Sequence, residues 1–257
     1  MRMSEDIDFK IKIKNPEQVI AKTQFLKQLK KFRALIITTI SSHDFNIKDI
    51  VARNEGRYLK VELNYHSVFP INMTLRSHIL LEFTVADVCL ETDDLRIRTL
   101  IEENFDIEAI SGSLLTPCVS CEETAIEKWV GLTRRIMAIE RGHYQEDPTL
   151  VRHIYDLNAI NKNNRINDSF FNLALTVIIK DAKQFKNQHP EYAANPGTEI
   201  THSIEILKNK PIWESRYRQF IETMVYDRVS PPDYKSGIQT LENISSKVIE
   251  SLELATL

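Results

Sequence analysis

Two aspartates lie two residues apart in the first alternating stretch of the chain, DIDFKIKI. Asp6 and Asp8 fall on one side of the alternation, while the apolar residues Ile7 and Phe9 fall on the other. Residues i and i+2 of a strand share a face and lie about 6.6 Å apart along it. Carboxylate oxygens are the ligands that Mg²⁺ prefers, so the pair could hold one divalent ion or a close pair of ions. From this stretch alone, a solvated edge strand is the better explanation, because D-x-D is a very common string.

Composition narrows the classes of protein that this chain can represent. Its 257 residues, 42% apolar and 27% charged, are typical of a soluble globular protein with one large domain or two small ones. A formal net charge of -3 gives no overall basic field that would attract nucleic acid. The most apolar stretch, HILLEFTVADVCL, contains Glu82 and Asp87 and is too short to cross a bilayer. Three cysteines and no secretory signal predict a protein of the reducing cytoplasm.

The predicted secondary structure divides the chain into two parts and gives an α+β fold class. Strands are predicted over 6–13, 57–65 and 77–88, with helices over 15–36 and 93–105. After Ser120 the pattern is almost entirely helical, apart from a predicted loop over 189–200. One predicted helix of this part begins near Ser120. The others cover 148–160, 169–185, 211–227 and 234–255. We therefore expect a mixed sheet with helices over 1–125, followed by a helical bundle over 126–257.

The start of the first helix after the sheet has a specific signature. Ser120 and Glu123 have the spacing of a capping box, so a helix is predicted to begin there. Its predicted apolar stripe contains Ala125, Trp129, Leu132 and Ile136. Lys128 borders this stripe and does not fall on the far, solvated side of the helix.

Four motifs, in the same order along residues 2–157, resemble those of the AbiEii/AbiGii-type toxin nucleotidyltransferases of the polymerase-β-like superfamily. RMSEDIDF resembles the family's strand motif R-x-S-x-D-x-D, and LRSHILLEF resembles its strand with a third carboxylate, here Glu82. EETAIEKWVGLTRR resembles its E-K-L helix, with Glu127 and Lys128 in the motif positions. DPTLVRHIYDL resembles its R-H-x-Y-D-L helix, which contains His153 and Asp156. Four ordered motifs are far more specific than any one of them.

The resemblance implies a role for each motif residue. Asp6, Asp8 and Glu82 would be the catalytic carboxylates that hold Mg²⁺ or Mn²⁺, which nucleotidyl transfer requires. Lys128 would be a catalytic residue that contacts the triphosphate of an NTP as a point charge, and Ser4 would also touch phosphate. Asp156 would belong to the same active site. We expect all these residues to converge on one pocket at the edge of the sheet.

Simpler explanations exist for several of these residues. Glu82 could be a single acid on the exposed face of a half-buried strand, and Lys128 could be a lysine whose stem lies beside the core. Ser4 could only support its strand. His153 lies three residues before Asp156 on a predicted helix, so it could orient that aspartate and need not bind a metal with it.

Two further motifs are explained without a site. Cys118 and Cys121 form C-x-x-C, but a structural zinc ion needs about four ligands and only Cys89 could add a thiol. We therefore expect reduced thiols near a helix start. The basic stretch FLKQLKKFR is expected to be a solvated helix face, with RNA contact as the alternative.

The function implied by the resemblance is the transfer of a nucleoside monophosphate from an NTP to an acceptor such as tRNA. Such proteins are the toxins of toxin–antitoxin or phage-defence pairs, so a cognate antitoxin is an expected partner and a membrane is not. The alternative is an inactive, truncated remnant that only binds a partner. The resemblance implies a Gly-rich segment, roughly G-G-[ST], before the first motif. Since only Met1 precedes Arg2, we expect the chain to be inactive or nearly so.

Overall fold

The computed structural model describes residues 4, 6–13, 21–66, 78–105, 114–226 and 232–255. The chain forms two compact units, Arg2–Val88 and Cys89–Leu257. The division of function between residues 1–125 and 126–257 stays a prediction. Arg2 and Asn15 lie outside the described residues. The first helix covers Lys22–Ser42, with Ala21 as a non-helical N-cap, so the predicted helix is confirmed but its bounds of 15–36 were wrong.

The unit Arg2–Val88 contains a mixed four-stranded sheet. Its elements are β1 (Asp6–Ile11), α1 (Lys22–Ser42), β2 (Asn46–Arg53), β3 (Tyr58–Asn64) and β4 (His78–Val85). The strand order is β1-β4-β3-β2, with β1 parallel to β4 and the other neighbours antiparallel. The three predicted strands are confirmed, whereas β2 was missed because NIKDIVAR alternates imperfectly and contains a register shift between Ile47 and Asp49.

The two faces of this sheet differ in chemistry because apolar and polar residues alternate along its strands. Leu59, Val61 and Leu63 of β3 are buried at the centre of the apolar face. Partly buried apolar residues from α1 and the neighbouring strands pack against them: Ile36, Ile40, Ile47, Ile79, Leu81 and Phe83. The opposite face carries the charged residues of β1, β3 and β4, so the alternation determined which side chains are available for chemistry.

The unit Cys89–Leu257 begins with a two-stranded antiparallel sheet, with α2 between its two strands in the chain, and continues as packed helices. Its elements are β5 (Asp93–Arg96), α2 (Leu100–Phe105), β6 (Leu115–Cys118), α3 (Cys121–Glu140), α4 (Val151–Lys162), α5 (Asp168–Phe185), α6 (Pro190–Ala194), α7 (Pro196–Asn209), α8 (Pro211–Met224) and α9 (Tyr234–Ala255). Helix α3 packs against α4, α5 and α7, and α9 packs against α4 and α7. The four residues of the predicted α3 stripe are at most 1% exposed, which confirms that face as core.

The beginning of α3 is held by one capping hydrogen bond and by the contacts of a buried carboxylate. Ser120 is the N-cap, and its hydroxyl accepts a hydrogen bond from the Glu123 N–H at 3.2 Å. The Glu123 carboxylate is buried and accepts hydrogen bonds from the backbone N–H groups of Cys89 and Leu90, both at 2.9 Å. The predicted helix start is therefore confirmed, and Glu123 also ties the first residues of this unit to it.

Two sequence predictions in this unit were wrong. The predicted loop over 189–200 contains α6 and the start of α7, because Pro190 and Pro196 stand at first helical positions. The Asn195 side chain caps α7 by accepting a hydrogen bond from the Thr198 N–H at 3.1 Å. The predicted helix over 93–105 is a strand, β5, followed by the shorter helix α2. Pairing with β6 explains the strand, and a local pattern does not reveal such a partner.

The predicted α+β fold class is confirmed by this architecture. No disulfide bond joins Cys89, Cys118 and Cys121, which all lie in the part of the chain that the structure describes. Among the helices of the described residues, none has both the length and the apolar character required to cross a membrane.

Candidate functional site

Asp6 and Asp8 lie on the charged face of the sheet, on β1. The register of the parallel pair places Asp6 beside Leu80 and Asp8 beside Glu82 of β4. The Ser4 hydroxyl donates a hydrogen bond of 2.7 Å to Oδ1 of Asp6, just before the strand begins. Ser4 therefore orients one of the two aspartates through its side chain.

Glu82 is flanked on both sides because β4 lies between β1 and β3. Asp8 occupies the directly paired position on β1, and Lys60 occupies it on β3. Paired residues of neighbouring strands point to the same face of a sheet, so Asp8 and Glu82 are neighbours. The sequence places these two acids in separate motifs, and the parallel register brings them together.

Tyr58 supplies the hydrogen bond to Glu82. Its hydroxyl donates to Oε1 of Glu82 from the next strand. Burial and the hydrogen bond to Glu82 raise the pKa of the Tyr58 hydroxyl far above its ordinary value, so the phenol stays protonated. Sequence analysis missed Tyr58, although its place on the polar side of the alternation in RYLKVELNY was a usable signal.

Lys60 is engaged with other carboxylates on the same face. Its ammonium lies 2.7 Å from Oε1 of Glu62 and 3.9 Å from Oδ2 of Asp49. The hydrogen bond from Lys60 is the main reason why the pKa of Glu62 is lowered. The charged face therefore has two adjoining parts, an ion-pair cluster around Lys60 and a carboxylate pair at Asp8 and Glu82.

The carboxylates do not form a ready-made metal site. Within the described part of the chain, no three His, Cys, Asp or Glu side chains are grouped so that they could hold a metal ion. The type of donor nevertheless suits a hard cation, because Asp6, Asp8 and Glu82 offer oxygen ligands on one sheet face. Like charges on directly paired positions repel one another, and a cation would relieve this repulsion. Metal binding by these three residues stays a prediction.

In the other unit, the structure brings together Lys128 of α3 and Asp156 of α4. Lys128 Nζ lies 2.9 Å from Asp156 Oδ2, and the two side chains are only 25% and 12% exposed. Two predicted site residues from different motifs thus form a partly buried ion pair. Glu127, the neighbouring motif residue, precedes Lys128 on α3.

His153 lies on α4 near this ion pair. Its Nδ1 atom is buried and has no hydrogen-bond partner among the described residues. Burial, assisted by the charge of Lys128, lowers the pKa of His153 to about 3, so the ring is neutral near pH 7. A neutral imidazole can stand beside Lys128 without charge repulsion.

The start of α4 is anchored by Asp147. This carboxylate accepts hydrogen bonds from the Thr149 N–H and hydroxyl, at 2.9 Å and 2.6 Å, and another from Arg135 of α3. Burial acts to raise the pKa of Asp147, but the contacts with Thr149 and Arg135 outweigh it and lower the pKa. These contacts connect α3 to the turn before α4 and so help to position the helix that carries Asp156.

Tyr155 of the same motif has a packing role in the structure. It is 6% exposed, and its ring meets Phe220 of α8 edge-on, with centroids 5.6 Å apart. The expected convergence of Asp6, Asp8 and Glu82 with Lys128 and Asp156 stays a prediction, because these two sets belong to different units.

Comparison with protein families identifies the class of protein as a nucleotidyl transferase. The family described as "Nucleotidyl transferase AbiEii toxin, Type IV TA system" matches residues 1–240, which is most of the chain. The chain belongs to this AbiEii toxin family, and the resemblance inferred from four motifs is confirmed. Comparisons with curated proteins and with solved structures gave no match.

Proposed function

We propose that this chain is a metal-dependent nucleotidyltransferase toxin that transfers a nucleoside monophosphate from an NTP to an acceptor such as tRNA. The observation that carries the proposal is the register of β1 and β4. It sets Asp8 beside Glu82, with Asp6 on the same face, in a chain of the AbiEii family. A cognate antitoxin is the partner implied by a toxin–antitoxin family.

Asp6, Asp8 and Glu82 are the residues that would hold Mg²⁺ or Mn²⁺ in this proposal. Such an ion, when bound, neutralises triphosphate charge and favours ionisation of the acceptor hydroxyl. The protein's own part is to present carboxylates from neighbouring strands. Ser4 orients Asp6 through the 2.7 Å hydrogen bond to its Oδ1.

Lys128, Asp156 and Ser4 are assigned to the nucleotide. An ammonium group binds a phosphate oxygen as a compact point charge, and Lys128 is the motif lysine. The ion pair with Asp156 supports this role because it holds the ammonium in one place before a nucleotide arrives. Ser4 is assigned to phosphate in addition to its contact with Asp6.

The test is a transfer assay with purified protein, total tRNA, Mg²⁺ or Mn²⁺, and each labelled NTP in turn. We expect label from at least one NTP to appear in tRNA. The Asp8→Ala variant should remain folded by circular dichroism and transfer nothing. Asp49→Asn is the matched control, because Asp49 lies on the charged face of the same sheet, beside Lys60, and has no assigned role.

Isothermal titration separates an active transferase from a binding-only remnant. The proposal expects NTP binding that depends on Mg²⁺ and is lost in Asp8→Ala. A wild-type chain that labels no RNA and shows no metal-dependent NTP binding would contradict the proposal.

A further inference from the structure

Glu82 has two neighbours on β3 that could hold its carboxylate. Lys60 is its direct partner in the antiparallel register, and Tyr58 is the partner of Thr84, two residues further along β4. Tyr58 is thus a diagonal neighbour of Glu82 on the same face, within reach of a long aromatic side chain. The sheet offers Glu82 either a cation or a neutral donor.

The neutral donor makes the contact. The Tyr58 hydroxyl donates to Oε1 of Glu82, whereas the Lys60 ammonium lies 2.7 Å from Glu62. An ion pair with Lys60 would neutralise Glu82 and compete with a bound cation. A hydrogen bond from a phenol restricts the carboxylate but leaves it with its full negative charge.

The surroundings of Tyr58 favour a persistent donor. Its ring is half-buried on the sheet, on the same face as Glu82 and Asp8. A protonated phenol has one O–H to donate, and it donates this proton to Glu82. Carboxylates and imidazoles that bind metals are commonly oriented by such outer hydrogen bonds.

We propose that Tyr58 is a positioning residue for Glu82, holding its carboxylate in place for a divalent cation shared with Asp8. The inference rests on the proposed function, since it takes Glu82 as a metal ligand. The inference adds Tyr58, which lies in none of the four motifs, to the residues of the candidate site. Tyr58 acts through Glu82 and does not itself touch metal or substrate.

The experiment is a double-mutant cycle on Mn²⁺ affinity. Binding of Mn²⁺ alone is measured by the loss of the free-ion electron paramagnetic resonance signal, for wild type, Tyr58→Phe, Glu82→Ala and the double variant. Removing an outer hydrogen bond of this kind should weaken Mn²⁺ binding about tenfold. In the Glu82→Ala background, Tyr58→Phe should cause no further loss, because the residue through which it acts is gone.

Tyr234→Phe provides the matched control. Tyr234 also donates a hydrogen bond from a mostly buried hydroxyl, to the Leu207 carbonyl oxygen at 2.6 Å, but it contacts none of the predicted metal ligands. The Mn²⁺ affinity of the Tyr234→Phe variant should equal that of the wild-type protein, even if the melting temperature of the variant falls. Circular dichroism of each variant checks the fold.

The other outcomes distinguish the two proposals. Unchanged Mn²⁺ affinity in Tyr58→Phe would overturn the role of Tyr58 and leave the proposed function standing. An equal loss with and without Glu82 would also overturn it, since Tyr58 would then act through general stability. A wild-type chain that binds no Mn²⁺ would overturn the metal assignment of the proposed function and the inference that rests on it.

Discussion

Lys128 Nζ lies 2.9 Å from Oδ2 of Asp156, and this ion pair connects α3 to α4. Both side chains are mostly shielded from water, so the pair is screened less than a surface ion pair. The position of Lys128 beside the core suits a structural role, and its fixed charge suits the nucleotide-binding role proposed for it. Substitution can separate these two roles.

Lys128→Ala should weaken NTP binding about tenfold, because it removes the ammonium assigned to the triphosphate. The same variant should lower the free energy of unfolding by about 1–2 kcal/mol, since Asp156 loses a charged partner in a partly buried site. Isothermal titration and chemical denaturation measure the two effects. Normal NTP binding and turnover, together with lower stability, would make Lys128 a structural residue.

Lys210→Ala is the control for that measurement. Lys210 also forms an ion pair, with Glu140 at 2.6 Å, but those side chains are 48% and 39% exposed. Surface ion pairs of this kind contribute little to stability. The Lys210 variant should therefore match wild type in NTP affinity and nearly match it in unfolding.

His153 should make the protein less stable in acid. The pKa is lowered to about 3 in the folded chain from an ordinary value of 6.5, so between these values the unfolded chain binds the extra proton. The contribution of neutral His153 to the free energy of unfolding is complete above about pH 6.5. This contribution is lost as the pH falls toward 3, by at most about 1.4 kcal/mol per pH unit. His153→Leu should flatten this part of the profile in denaturation experiments between pH 7 and pH 4. An unchanged slope would show that His153 is protonated at an ordinary pH in the folded protein.

Two glycines in helices should respond oppositely to alanine. A Cβ added at Gly131 of α3 meets no heavy atom within 4 Å, so Gly131→Ala should stabilise the protein by about 0.5–1 kcal/mol. A Cβ at Gly237 of α9 would lie 2.6 Å from Cγ2 of Ile154, so Gly237→Ala should destabilise by about 1–3 kcal/mol. Melting temperatures test the pair, and a stabilising Gly237→Ala would mean that α4 and α9 pack less closely than described.

Glu123→Ala should loosen the first residues of its unit. The Cys89 and Leu90 amides would lose their carboxylate acceptor, at a cost of about 2 kcal/mol, and exchange hydrogen faster. The Thr99 amide is an internal control, since the separate carboxylate of Glu102 holds it at 2.6 Å. Uniformly faster exchange at all three amides would indicate general destabilisation and not a local anchor.

Local patterns were sufficient for the elements that depend on nearby residues. Alternation predicted the strand over 57–65, and the apolar side of that alternation, Leu59, Val61 and Leu63, is the buried side of β3, because the strand period of two assigns each residue to a face. The cap at Ser120 and the stripe containing Trp129 predicted α3 and its buried side, because apolar residues three or four positions apart share one face of a helix. Both signals act within a few residues of chain.

Strand partners were decided only by the tertiary structure. Alternation states which face Asp8 and Glu82 occupy, but it does not state which strand lies beside which, or in what register. Packing of the apolar face on α1 and pairing of β4 between β1 and β3 set these two acids side by side. The strand β5 was misassigned because it gains its hydrogen bonds from β6, which lies beyond α2 in the sequence. The missed strand β2 pairs with the adjoining β3, and its own interrupted alternation is what concealed it.

The roles proposed for Asp6, Asp8, Glu82, Lys128 and Asp156 rest on the order of the motifs, which can be read from the sequence alone. The contacts that these residues make with their neighbours were revealed only by the fold. Tyr58 reaches Glu82, and Asp156 meets Lys128, only because separate elements are packed together. Hydrogen bonds and ion pairs act over about 3 Å in space, whatever the separation of the two residues along the chain. The sequence therefore contains both partners but does not show which residue contacts which.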